Sequence, residues 1–257
     1  MGQDLVVAAL AVLAYMTVLF VVALFKKDNS IVDIGWGPGF ILVAALTFFF
    51  WRGTTARQVL VNALVAVWGL RLAIHIALRN RGRGEDFRYA KWRQAWGRWF
   101  VPRSFLQIFL LQGILMLVVA FPVVLINRPG ADAGLGGLDL LGAGLWAAGF
   151  LFEAVGDHQL RVFKRDAANK GTIMDRGLWR FTRHPNYFGE ALMWWGVFVL
   201  ALSVPGGWRA IVSPLVLTGL LLRVSGVFLL EKKYAGDSAY ADYIRRTSAF
   251  IPRPPKA

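Results

Sequence analysis

The chain has 257 residues, 57% hydrophobic and 17% charged, with a mean hydropathy of +0.52 and a formal net charge of +14. That balance excludes an ordinary soluble domain and points to an integral membrane protein. Cysteine is absent, which excludes disulfides and thiolate metal sites; His75, His158 and His184 stand in no ligating spacing, so no metal is expected.

A crossing helix needs about 20 mostly apolar residues. Seven runs qualify, at 5–25, 31–51, 58–78, 105–127, 139–160, 188–204 and 209–230. The first ends at Lys26 and Lys27 without a small-residue cleavage site, so it reads as a span and not as a signal peptide. No linker composition interrupts the chain. The expected fold is all-α, a single polytopic membrane domain over residues 1–257 with seven transmembrane helices. With the C-terminus inside, 23 Lys and Arg fall on cytoplasmic segments and 4 on outer ones. The positive-inside rule therefore places the N-terminus outside and the C-terminus in the cytoplasm. The same count explains the net charge as orientation signals and partners for anionic lipid headgroups. No separate basic domain exists for nucleic acid, which is excluded as a partner.

Ionisable groups at membrane depth are costly and usually functional. In "NSIVDIGWG" (29–37), Asp33 falls inside the second run. It is either a first-turn carboxylate complementing the helix dipole or a carboxyl facing a substrate cavity. In "WGLRLAIHIALRNRGRGEDFRY" (68–89), Arg71 lies within the third run and must be paired or bind something anionic. Residues 80–84 then form a cationic turn in which glycines around Arg83 allow close approach of a ligand. Glu85, Asp86 and Arg88 read equally well as a salt-bridged loop.

In "FEAVGDHQLRVFKR" (152–165), Glu153, Asp157 and Arg161 are spaced i, i+4, i+8, with Lys164 three later, which puts all four on one helical face. An ion-pair ladder explains Asp157 and Arg161 well and Glu153 poorly. In "RHPNYFGE" (183–190), Pro185 is a favoured first-turn residue. A helix beginning there aligns Asn186, Glu190 and Trp194 on a second stripe, an amide, a carboxylate and an indole suited to a planar heteroaromatic ring. Arg183 and His184 remain in a cationic loop before it; a plain loop-to-helix junction is the other reading. Finally, Arg223 lies in the seventh run, Glu231 ends it, and a tail with Tyr234, Tyr240 and Tyr243 follows. The tail either folds back as a cytoplasmic cap or lies as an interfacial amphipathic helix. Together these groups describe a mostly cationic pocket at the cytoplasmic mouth of a helical bundle. A ligand with phosphates and a hydrogen-bonding ring would suit it, with an apolar co-substrate entering from lipid.

The blocks "NRGRG" (80–84), "DHQLRVFK" (157–164) and "NYFGEALMWWG" (186–196), with "LEKKY" and the terminal "YADYIRRTSAFIP", carry a resemblance. They resemble the membrane superfamily of steroid 5α-reductases, sterol reductases and isoprenylcysteine carboxyl methyltransferases. Over nearly its whole length the chain looks most like a bacterial steroid 5α-reductase homologue. The resemblance implies NADPH as cofactor. Asn186 and Glu190 with Trp194 match the reductase pattern beside the nicotinamide. Asp157, Arg161 and Lys164 match an acidic residue followed by two basic ones, with Lys164 where the family has arginine. Arg71, Arg83, Arg183, Glu231, Tyr234 and Tyr243 complete the expected cofactor set.

The resemblance further implies reduction of the C4–C5 double bond of a 3-oxo-Δ4-steroid, or of a similar enone lipid. Hydride would pass to C5 while charge develops on the C3 oxygen. In the family a glutamate on the second helix and a tyrosine on the third stabilise that oxygen. Asp33 is the matching carboxyl, one methylene shorter, and with Glu190 forms the expected catalytic set; "WGLRLAIH" offers no tyrosine. Because the methyltransferases share the Arg-His-Pro element, an S-adenosylmethionine-dependent isoprenylcysteine-type methyltransferase is the alternative. A non-catalytic lipid-binding membrane protein is a second. The expected setting is a bacterial inner membrane, as a monomer, with membrane lipids and a hydrophobic substrate as partners.

Overall fold

The computed structural model describes residues 2–52, 54–129, 134–224, 226–234 and 236–256. Among these residues the fold is all-helical, with one isolated parallel β-bridge between Thr182 and Ser248. Six helical runs are long and apolar enough to cross a membrane: Gly2–Lys26, Ile31–Phe50, Ala56–Asn80, Phe87–Ile126, Gly137–Arg165 and Gly207–Val224. The remaining expected span forms a helix, Pro185–Ala201, of only 17 residues. At 1.5 Å per residue it reaches about 26 Å, short of a hydrocarbon core of about 30 Å. Length and composition therefore support six crossings among the described residues, with α8 at the short end of what a crossing needs.

The chain divides into two compact units, Met1–Gly136 with Ser203–Ala210, and Gly137–Leu202 with Ile211–Ala257. The first holds α1 (Gly2–Lys26), α2 (Ile31–Phe50), α3 (Ala56–Asn80), α4 (Phe87–Trp96), α5 (Phe100–Ser104) and α6 (Leu111–Ile126). A chain starting at Phe87 and ending at Ile126 is twice the length of one crossing, and it is interrupted accordingly. α4 ends at Gly97, whose φ of +48° costs little without a Cβ. α5 passes through a π-helical turn, Phe105–Leu110, into α6.

Met16, Phe40, Val61, Trp68 and Met116 fill the interior of this unit, whereas Leu10, Val18, Leu70 and Ile74 are exposed. An outward apolar surface on spanning helices is what a lipid solvent permits. Where backbone ends must be satisfied, polar side chains gather. The Asn127 amide donates to the Ala44 carbonyl (3.1 Å) and to Thr47 Oγ1 (2.8 Å), and its Oδ1 accepts from Asn62 (2.7 Å). Gln58 donates to the Asn127 carbonyl (2.9 Å), and Asp4 pairs with Arg128.

The second unit holds α7 (Gly137–Arg165), α8 (Pro185–Ala201), α9 (Val212–Gly219), α10 (Val227–Lys233) and α11 (Ser238–Arg246). Its organising feature is a glycine seam. Gly142 and Gly149 on α7 face Gly196 and Gly189 on α8, so the helices run antiparallel with their backbones touching. A Cβ on Gly149 would lie 2.5 Å from the Gly189 carbonyl oxygen, and one on Gly142 2.7 Å from that of Gly196. Small residues drive such approach in membranes, where apolar burial gives no preference for protein over lipid. The seam brings Glu153 and Asp157 of α7 beside the first turns of α8.

Candidate functional site

In the first unit the site is built from the turn between α1 and α2. Asn29 and Ser30 are buried there. The Asn29 amide N–H donates to Glu85 Oε1 (2.8 Å), its side chain donates to Ser104 Oγ (3.1 Å), and Ser30 Oγ accepts from the Asp86 N–H (2.7 Å). Arg93 grips Glu85 with Nε (2.9 Å) and Nη2 (2.8 Å). These bonds fix the segment before α4 against the start of α2. Asp86 caps α4, its Oδ1 accepting from the Arg88 backbone (3.0 Å) and from Arg88 Nε (2.8 Å). Burial works to raise the Asp86 carboxyl, but hydrogen bonds from the Arg88 side chain and backbone outweigh it and hold the group below its ordinary range.

The helix launched in this way presents Tyr89 to α2. The buried Tyr89 hydroxyl donates to Asp33 Oδ1 at 2.7 Å, and Arg88 Nη2 donates to Asp33 Oδ2 at 2.9 Å. Gln112 Nε2, from α6, lies 3.5 Å from the phenol oxygen. Asp33 therefore faces a constructed polar group, and Tyr89 is the residue that sequence reasoning misses. A search for a tyrosine on the third helix passes it by because it belongs to the next one, at the end of "NRGRGEDFRY". The salt-bridged loop expected of Glu85, Asp86 and Arg88 is present in part: Arg88 serves both Asp86 and Asp33, and Glu85 pairs with Arg93. Arg71 is half-buried on α3, and Arg83 is exposed in the turn beyond it.

In the second unit, Pro185 opens α8 as its spacing predicts. Asn186 Nδ2 donates to Asp157 Oδ1 across the glycine seam at 3.0 Å. The opposite atom of that amide, Asn186 Oδ1, is buried and accepts no hydrogen bond among the described residues. Glu153 and Trp194 are buried, and Glu190 is half-buried. Toward the end of α7, Arg161 Nη2 lies 3.0 Å from His158 Nδ1, and Arg161 and Lys164 are exposed.

Arg183, expected in a cationic loop, is instead buried. Its Nε donates to Glu231 Oε1 (2.7 Å), and its Nη1 donates to the carbonyls of Ile244 (3.2 Å) and Thr247. His184 Nε2 lies 3.3 Å from the same Glu231 oxygen. Burial works to raise the Glu231 carboxyl, and hydrogen bonds from His184 and Arg183 outweigh it, leaving the group below the usual glutamate value. Tyr243 is buried and gives its hydroxyl proton to the Trp179 carbonyl, while Tyr234 is exposed and stacks on Tyr240 at 4.6 Å. The tail does fold back, with α11 and residues beyond it returning to the chain just before α8.

A family described as a protein of unknown function, DUF1295, matches residues 19–247. The chain belongs to the DUF1295 family. An uncharacterized protein of Schizosaccharomyces pombe is 27% identical over 203 residues, 69% of this DUF1295 chain and 58% of its relative. The 3-oxo-5-alpha-steroid 4-dehydrogenase 1 of Macaca fascicularis is 37% identical over 67 residues, 26% of either chain. That of Homo sapiens is 36% identical over the same length and the same shares. The chain thus has a distant relationship to these steroid dehydrogenases over a short segment, and it spans less than two thirds of each of these relatives. No solved structure matches it.

Proposed function

We propose that this DUF1295 chain is a membrane reductase that uses NADPH to saturate the C4–C5 double bond of a 3-oxo-Δ4-steroid or a similar enone lipid. The observation that carries the reading is the Tyr89–Asp33 pair. Enone reduction places negative charge on the carbonyl oxygen, and a hydrogen-bond donor held beside it lowers the barrier. Tyr89 provides the O–H, which rests on Asp33 until a carbonyl oxygen is bound beside it. Rotation about the phenol C–O bond turns that proton from Asp33 toward an oxygen bound alongside. Arg88 balances the carboxylate, so Asp33 orients the acid and is not itself the acid. The phenol also supplies the reach that an aspartate lacks beside the family's glutamate.

The residues of α7 and α8 fit the implied cofactor. Asn186 Oδ1 is a buried acceptor without a donor, an arrangement that costs about 1–3 kcal/mol unless a ligand supplies one. The carboxamide N–H of a nicotinamide is such a donor, and Asp157 fixes which atom of Asn186 is offered to it. Bound NADPH supplies the hydride. Glu190 and Trp194 would flank the ring, and Arg161 and Lys164, exposed further along α7 in the same unit, are cations for the phosphates. A methyltransferase would make little use of those cations or of a phenol donor, since S-adenosylmethionine carries no phosphate and methyl transfer builds no enolate. In this reading α8 is a short seventh crossing. The N-terminus lies outside and the C-terminus in the cytoplasm of a bacterial inner membrane, as the distribution of Lys and Arg supports, and the protein acts as a monomer.

The test is NADPH oxidation by purified protein in detergent with progesterone, comparing wild type with Tyr89→Phe, Asn186→Ala and Glu190→Gln. Turnover by wild type, its loss in Tyr89→Phe and Glu190→Gln, and its decline in Asn186→Ala at sub-saturating NADPH are the expected result. Tight S-adenosylmethionine binding without NADPH binding would overturn the reading in favour of a methyltransferase. Binding of neither would favour a non-catalytic lipid-binding protein.

A further inference from the structure

We infer that Arg183 is a positioning residue: it locks residues 238–253 as a strap across the start of α8, and the strap holds Asn186 in place. The ligand of Asn186 rests on the reductase reading, whereas the strap rests on hydrogen bonds alone.

A phosphate-binding arginine needs its fork accessible. Arg183 is 7% exposed, and its guanidinium is directed at Glu231 from α10 and at the carbonyls of Ile244 and Thr247 from the end of α11. Around this node the strap runs alongside residues 179–183. Thr182 forms the parallel bridge with Ser248, and the Arg183 N–H donates to the Ser248 carbonyl (2.9 Å). Thr182 Oγ1 donates to the Phe250 carbonyl (2.8 Å), and the Arg253 N–H donates to the Phe181 carbonyl (3.0 Å). Beyond Asn186, the ring of Phe250 meets Phe188 of α8 edge-on at 5.9 Å.

The strap therefore grips the chain on both sides of Asn186, while the Asn186 side chain itself bonds to Asp157. Glu231 holds both residues before Pro185, and the fixed φ of proline transmits their position to Asn186. Removing any partner of a buried charge leaves it uncompensated, so the node should fail as a unit.

The fork geometry separates this role from phosphate binding. Lysine serves a phosphate as a point charge but cannot reach a carboxylate and two carbonyls at once. The experiment is hydrogen exchange of the Arg183 and Arg253 amides with NADPH titration, on wild type, Arg183→Lys, Glu231→Gln, the double variant and Thr182→Val. In Arg183→Lys both amides should exchange about tenfold faster or more, the equivalent of one lost charge-assisted hydrogen bond. The KM for NADPH should rise while kcat at saturation holds, and the double variant should be no worse than either single one. Thr182→Val, which keeps the guanidinium, should show the same two effects in weaker form. Weakened NADPH binding in Arg183→Lys with unchanged exchange would overturn the proposal and make Arg183 a direct ligand, as would a Thr182→Val protein with faster exchange and unaltered NADPH KM. If wild type fails to bind NADPH while exchange responds as expected, the reductase reading falls and the strap stands.

Discussion

Two carboxylates in two regions of the molecule each hold a neutral partner, and they leave opposite valences open. On α2, Asp33 accepts from the Tyr89 phenol, a group with a proton to give. On α7, Asp157 accepts from the Asn186 amide, leaving the opposite, buried oxygen of that amide without a donor among the described residues. The lesson is that a charge at membrane depth need not do chemistry. It can set the direction of a neutral group, which costs far less to bring unpaired into an apolar site than an ion does.

The comparison breaks most sharply at Tyr89. Tyr89→Phe should lower kcat by about 10²–10³, the usual cost of a lost oxyanion donor, with the NADPH Kd unchanged. A loss of NADPH binding instead would erase the distinction between the two regions. Next in size is the glycine seam. Gly149→Ala should cost about 1–3 kcal/mol of stability through overpacking, read as a lower Tm in detergent. Alanine at Gly144, which has open space around it, should cost nothing. Asn186→Ala should raise the NADPH Kd about tenfold, the worth of one hydrogen bond, with kcat at saturation falling less than in Tyr89→Phe. The smallest effect concerns pH. Glu231 is held below its ordinary value of 4.5, so its contribution is complete above that value and fades as pH falls through the lower folded one. Glu231→Gln should flatten that shallow acid limb of Tm, and an unchanged limb would remove Glu231 from the node.

Much of the architecture is legible in the sequence because apolar length is a strong signal. Six of the seven expected runs match helices long enough to cross, and Pro185 marks the start of α8. Helical spacing sets Asp157 and Asn186 each on a polar stripe, and the glycine seam is what brings the two side chains together. What spacing cannot convey is which neighbour wins a shared side chain. Arg183 follows "FT" in a basic stretch and reads as a surface cation, yet its partners come from 48 and 64 residues further on. Tyr89 reads as part of a charged loop because the interactions that launch α4 run from Glu85 and Asp86 to Asn29 and Ser30, 56 residues away. As a crossing, the short α8 is also hard to read, since the polar residues that make it informative also shorten its apolar run.

The seam between α7 and α8 limits how this protein can diversify. Where backbone touches backbone, as at Gly149 and Gly189, no side chain intervenes that could be exchanged to adjust the fit. The amide and carboxylate mounted on that pair are thereby insulated from substitution in the seam, because almost any change there disrupts the pair instead of retuning it. Changes in substrate preference across related chains should accumulate on helices whose contacts are made by side chains, and leave this pair as an unvarying frame.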